Sequence, residues 1–267
     1  MNAPVEAGLQ PFVLAEVREG VATVTLNRGD RYNPLSLPMI TALETTLDTL
    51  AQDTTVRVLV IAGSGKGFCA GHDLKEMRAH PDLGWQRELF TACGRMMQKL
   101  TLLPQPVIAR VHGIATAAGC QLVSMCDLAV AADSASFALP GVNIGVFCTT
   151  PAVGVARNIA RKRVMEMLLT GEMIDAPTAL EWGLVNRVVP AAGIDAAVKE
   201  FTDLIKARSP AVVALGKRAF YQQVDHGLAG AYELAGEAMA CNLLEPDAAE
   251  GIDAFLGKRA PQWGSGE

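Results

Sequence analysis

Three short, almost continuously apolar runs limit what this chain can fold into: Arg57–Ala62 (RVLVIA), Pro106–Val111 (PVIARV) and Asp127–Ala132 (DLAVAA). Strands this apolar are covered on both faces, as in a parallel sheet sandwiched by helices. Parallel neighbours need long crossovers, and the intervals supply them. Helical spacing runs roughly from Gly84 to Leu103 between the first two, and Ala115–Ser124 fits a short helix between the second and third. Upstream, Val21–Leu26 (VATVTL) alternates β-branched residues and forms an opening hairpin with Pro11–Val17. Asn33–Pro34 breaks the chain. Ser36 then caps a helix that has Pro38 in its first turn and Met39, Leu43, Leu47 and Leu50 at helical intervals.

After Pro140 the pattern turns mostly helical. Candidate helices follow at Pro151–Ala160, Val164–Leu169, Ala176–Trp182, Ile194–Ala207, Ala211–Val224, Ala229–Cys241 and Ala248–Leu256, with Val185–Val189 as a last short strand. The expected organisation is an α/β core over residues 1–190 and a helical region over 191–267. With no Pro/Ser-rich linker between them, those helices pack on the core or on a neighbouring subunit.

Composition removes several partners. With 50% apolar and 19% charged residues, the chain has the makings of a packed core. A net charge of −5 without any basic stripe argues against nucleic acid. No apolar run reaches the roughly 18 residues of a membrane span. Met1–Glu16 lacks a basic n-region, an apolar stretch and any Arg, so a cytoplasmic protein is expected. The six cysteines form no CxxC pair and no metal-ligand spacing, and read as reduced thiols.

Familiar motifs fail one by one. Gly63–Gly67 (GSGKG) lacks the Ser or Thr that a phosphate loop places after its Lys. No GxGxxG, GxSxG or HExxH occurs. Two strand-to-helix turns rich in small residues remain: Phe68–Leu74 (FCAGHDL) and His112–Gln121 (HGIATAAGCQ). Free N–H groups at a helix start favour a developing oxyanion, and small residues allow close approach of a ligand. Two such turns on neighbouring strands could aim two donors at one oxygen. Each turn by itself is more often plain close packing.

The run GKGFCAGHDLKEM, then PVIARVHGIATAAGCQLVSMCDLAVAADSASFALPGVNIG, LTGEMIDAPTALEWGLVNRVV and finally GIDAFLGKRAPQW resembles the crotonase (enoyl-CoA hydratase/isomerase) superfamily over nearly the whole chain. Its AGHDLKE, AAGCQL and PGVN-G-FC-TP stretches resemble the enoyl-CoA hydratase domain-containing protein 3 type within it. The resemblance implies a spiral of repeated β-β-α turns with C-terminal helices that swap between subunits, giving a homotrimer or a dimer of trimers. It implies an acyl-CoA ligand, with CoA part of the substrate and no separate cofactor or metal. By position, His72 and Ala118 supply the two oxyanion-hole N–H groups, and Gly119 lies beside the ligand. Asp73, Leu74 and Lys75 lie along the adenine and phosphate end. Phe255 and Lys258 fall where the closing helix meets the CoA of an adjacent subunit.

The match departs at its acids. A hydratase of this family uses two glutamates as general base and acid. Their positions hold Gln121 and Gly141, and a third site near Cys148 holds no carboxylate. Hydration of a 2-enoyl-CoA is therefore expected to be weak. The GHD turn and the FxxxxVN-GV stretch also resemble methylmalonyl-CoA decarboxylase, which has a tyrosine where this chain has Cys148. Three readings stand at this point: an acyl-CoA enzyme working through its oxyanion hole, a silent acyl-CoA binder, or a structural subunit. Cys148 either donates a proton or lines the pocket, and the His72 imidazole is open to either reading as well.

Overall fold

The computed structural model describes residues 10–264; residues 1–9 of the polar lead lie outside the described residues. The first half of the chain comprises β1 (Val13–Arg18), β2 (Val21–Leu26), α1 (Leu37–Ala51), β3 (Val58–Gly63), α2 (Leu74–Ala79), α3 (Leu83–Leu102), β4 (Val107–Val111), β5 (Ile114–Thr116), α4 (Ala118–Met125), β6 (Leu128–Ala132) and β7 (Ser136–Ala138). It continues as α5 (Thr149–Val155), α6 (Arg161–Thr170), β8 (Ile174–Asp175), α7 (Ala176–Trp182), β9 (Arg187–Val189), α8 (Ile194–Lys206), α9 (Pro210–Gln223), α10 (Leu228–Asn242) and α11 (Pro246–Leu256).

The main sheet has the order β1-β2-β3-β4-β6-β9, antiparallel only where β1 closes the opening hairpin. A smaller sheet, β5-β7-β8, lies beside it. Strands β4 and β6 are each followed by a short strand of the second sheet and then a helix, the β-β-α repeat of a spiral. The small strands have two or three residues, too few for alternation to show in a sequence. They also explain why α4 begins at Ala118 and not at Ala115. Thr116 N–H donates to Cys69 O at 3.0 Å and Ala117 N–H to Ala138 O at 2.9 Å, which draws residues 114–117 out of any helix.

The apolar runs are covered on both sides. Leu59, Ile61, Ala109, Val111, Ala129 and Ala131 face the large core with α1, α3 and α4. Val58, Val60, Ile108, Val130 and Ala132 face a smaller cluster formed with Ile194, Ala197 and Val198 of α8. Ser36 Oγ accepts from Met39 N–H at 3.3 Å and caps α1, whose Met39, Leu43, Leu47 and Leu50 are buried.

The end of the chain differs in kind. Neither α9 nor α10 has a buried residue, and Phe220, Tyr232 and Met239 stand exposed on them. The two helices pair with each other, and α9 rests on α3. No helix among the described residues is long and apolar enough to cross a membrane.

Candidate active site

The turn after β3 is held from behind by a buried asparagine. The two hydrogens of Asn33 Nδ2 serve the carbonyls of Ser64 (2.9 Å), Gly67 (3.0 Å) and Phe68 (3.0 Å), one of them shared, and its Oδ1 accepts from Arg28 N–H at 2.9 Å. Its φ of 52° is a left-handed conformation that asparagine tolerates. Nothing in the sequence beyond the Asn-Pro break pointed to this role. Asn33→Ala leaves three carbonyls and one N–H short of partners, so an unfolding free energy about 2–4 kcal/mol lower is expected from urea denaturation.

The two small-residue turns meet at Gly71. Its φ is +94°, and a methyl built on it would lie 2.9 Å from Ala117 Cβ and 3.2 Å from the Ala118 nitrogen. Only glycine brings the first turn this close to the start of α4. Leu35 N–H takes the Gly71 carbonyl at 2.7 Å. The N–H of His72, next along, has no acceptor among the described residues, and neither has the N–H of Ala118 in the first turn of α4. Ala117 sets up the second donor in a conformation of φ 49°, ψ −119°, which costs a residue with a Cβ about 1–3 kcal/mol. Gly119 meets the Cys69 carbonyl so closely that a methyl there would lie 2.0 Å from its oxygen. Its primary structural duty is thus to let α4 dock on the first turn.

The two positions that would carry acids are neutral, in different ways. Gln121 is 4% exposed, and its Oε1 has no partner among the described residues. A helical side chain leans toward the N-terminus of its helix, here toward Ala118. Gly141 is buried, and a Cβ there would lie 2.5 Å from Val146 O and 2.8 Å from Cys148 Sγ. Gly141 N–H donates to that sulfur at 3.3 Å. The thiol occupies the room that a side chain at 141 would need. Burial pushes the Cys148 thiol up, against a smaller opposing pull from the Gly141 bond, so it stays protonated at neutral pH.

The His72 imidazole is a neutral ring packed at the edge of the site. Nδ1 lies 3.1 Å from Leu35 O, and a carbonyl can only accept, so Nδ1 carries the proton and Nε2 the lone pair. The ring meets Phe90 of α3 edge to face at 5.3 Å, and Nε2 has no partner among the described residues. Burial lowers its pKa below 6.5, the Leu35 contact opposing. The unfolded chain then takes up more protons as pH falls through 6.5, so this contribution to stability is full above that value and is lost below it. His112, likewise lowered by burial, acts in the same direction. The urea midpoint is expected to fall as pH drops from about 7 to about 5, and less steeply in His72→Gln.

The other candidate ligand contacts divide. Asp73 Oδ1 accepts from the N–H groups of Lys75 (3.0 Å) and Glu76 (3.2 Å), which makes it the N-cap of α2. Leu74 and Lys75 are exposed on that helix. Phe255 and Lys258 are exposed at the end of α11, which packs on α9. Within one chain, no side-chain hydrogen bond or ion pair among the described residues joins them to either turn. No group of three His, Cys, Asp or Glu among those residues could hold a metal ion. Cys69, Cys93 and Cys120 are buried with thiols pushed up to about 12, and only Cys241 is exposed. A thiol reagent at neutral pH is expected to label Cys241 in the native protein and the others only on unfolding.

Comparison with known proteins places the chain in a family. Residues 16–266 match the family described as enoyl-CoA hydratase/isomerase. The chain is 44% identical over 253 residues to the enoyl-CoA hydratase domain-containing protein 3, mitochondrial, of Xenopus laevis, covering 95% of this chain and 86% of that one. A crystal structure of an enoyl-CoA hydratase from Mycobacterium smegmatis superposes with a TM-score of 0.93 at 51% identity, covering 95% and 99% of the two chains. The human enoyl-CoA hydratase domain-containing protein 3 superposes with a TM-score of 0.91 at 43% identity, covering 94% and 100%. These names correct the cytoplasmic expectation: both the Xenopus protein and its human counterpart are designated mitochondrial. Buried, reduced thiols report a reducing compartment without saying which, so cysteine usage could not make that distinction.

Proposed function

The chain belongs to the enoyl-CoA hydratase/isomerase family and is an enzyme of that family, and on that premise we propose that it holds an acyl-CoA thioester by its carbonyl oxygen between the N–H groups of His72 and Ala118, without the acid–base pair of a hydratase. The observation that carries this reading is the contact at Gly71. It sets two unpartnered backbone donors on adjoining turns, one of them at the start of a helix. Such donors stabilise the negative charge that develops on a thioester oxygen when an enolate forms, and each contributes about 2.7–4 kcal/mol to a transition state where it has been removed and measured.

No carboxylate stands at positions 121, 141 or 148 beside them, and the neutral His72 imidazole, with its Nε2 lone pair free among the described residues, is the basic group at the edge of the site. Gln121 cannot take a proton from water, and Gly141 has no side chain. Cys148 remains a protonated thiol lining the site, and its sulfur already receives the Gly141 N–H. Loss of a general acid or base costs about 10²–10⁴ in rate, so hydration of a 2-enoyl-CoA is weak. Decarboxylation is the second reading, because this site has donors for an enolate oxygen and lacks the carboxylates that a hydratase uses. Loss of CO₂ leaves the electron pair in the enolate without any proton abstraction. Lys75 and, from a neighbouring copy in a trimer or dimer of trimers, Lys258 and Phe255 hold the CoA end. A mobile ammonium suits a phosphate.

Calorimetric titration with CoA, acetyl-CoA and butyryl-CoA tests the binding. Acyl-CoA binding with 1:1 stoichiometry per chain supports it, and no binding of any of the three sinks it. Following crotonyl-, methylmalonyl- and aromatic acyl-CoA for turnover then separates an enolate-forming enzyme from a silent binder.

A further inference from the structure

One buried ammonium gathers the far ends of three elements that build the site. Lys217 of α9 donates to Leu100 O in the last turn of α3 (2.8 Å), to Gln105 O just before β4 (2.9 Å) and to Asp127 Oδ2 between α4 and β6 (2.6 Å). An ammonium has three donors, and here each has its acceptor. The Lys217 side chain is 6% exposed and that of Asp127 16%. Tyr221, one turn along α9, donates its hydroxyl to Asp127 Oδ1 at 2.9 Å, and Val107 N–H, the first of β4, donates to Oδ2 at 2.6 Å. The carboxylate thus accepts three hydrogen bonds, with both oxygens engaged.

The near parts of those same elements carry the candidate chemistry. Helix α3 bears Phe90 against the His72 ring, β4 runs into the turn that ends at Ala118, and α4 begins there. A helix such as α9, with no buried apolar residue, gains little from apolar packing. A satisfied buried ion pair is instead suited to fixing geometry, since removing one partner leaves an uncompensated charge.

We infer that Lys217, with Asp127 and Tyr221, is a positioning residue that sets the spacing between the His72 and Ala118 N–H groups from the far side of the core. This rests on the acyl-CoA reading above. The probe is cinnamoyl-CoA, whose conjugated thioester absorbs further to the red when its oxygen is hydrogen-bonded. The variants are Lys217→Met, Tyr221→Phe, and Asp127→Asn combined with Lys217→Met, which leaves no unpaired charge. The wild type is expected to shift the bound probe to the red. Each variant is expected to lose part of that shift per bound molecule, Tyr221→Phe the least, while CoA alone binds within about threefold of wild type. A merely structural role would lower thermal stability and leave the shift per bound molecule intact. A full shift in all three variants overturns the positioning role alone. A wild type that binds without a shift, or fails to bind, overturns the acyl-CoA reading and this inference with it.

Discussion

Gly119→Ala is expected to abolish acyl-CoA binding and to destabilise the protein by about 3 kcal/mol or more, since overpacking against fixed backbone exceeds the usual cost of an extra methylene. The new Cβ would sit 2.0 Å from the Cys69 carbonyl oxygen, 2.7 Å from its carbon and 2.9 Å from its Cβ. Backbone cannot swing aside as a long side chain can. Helix α4 must therefore lift from the first turn and carry the Ala118 N–H away from that of His72. Gly94→Ala supplies the contrast: it lies within α3 with nothing within 4 Å of its Cβ position. It should gain about 0.5–1 kcal/mol and leave binding unchanged. Urea denaturation and calorimetric titration of the two variants read both effects.

Putting the acids back is expected to succeed at one position and fail at the other. Gln121→Glu keeps shape and length in a side chain that leans toward Ala118, and a carboxylate there can accept a proton from water. Hydration of crotonyl-CoA should rise by about tenfold or more, a part of what a positioned base contributes. Gly141→Glu should yield no gain, and a less stable protein. Its Cβ would collide with Val146 O at 2.5 Å and Cys148 Sγ at 2.8 Å before the carboxylate had been placed at all. The Gly141 N–H bond to sulfur would go with it. Adding Gly141→Glu to Gln121→Glu should thus reduce hydration below that of the single variant. Equal gains from both glutamates would show that the loop over 141–148 is more yielding than its packing indicates.

The parts of the fold legible beforehand were those with long apolar signals. RVLVIA, PVIARV and DLAVAA are almost continuously apolar because the large core takes one face of the sheet and α8 the other. Ser36 and Pro38 marked the start of α1 because capping is local chemistry. The second sheet escaped notice because β5, β7 and β8 are too short to show a period, and so did α2, six residues long. Within the site, the small-residue turns were visible and the resemblance implied that they meet, but the backbone that brings them together was not legible. The left-handed φ of Gly71 and the strained backbone of Ala117 depend on contacts between segments some 45 residues apart, such as Thr116 Oγ1 with Ala70 O. Asn33 looked like the preface to a proline, and its side-chain hydrogen bonds to the turn arise only once β3 has delivered residues 64–68 to it. The absence of glutamates at 121 and 141 was plain in the letters. That Cys148 fills the space at 141 was not.

Hydration of crotonyl-CoA by the unaltered protein, at a concentration where titration shows the site occupied, decides most directly whether an oxyanion cradle without acids is what this chain retains. The expected result is saturable binding with turnover at least about 10²-fold below the roughly 10 s⁻¹ of an ordinary enzyme. Turnover at about 10 s⁻¹ or faster would contradict it, since a general acid and base would then have to reside in groups other than Gln121, Gly141 and Cys148.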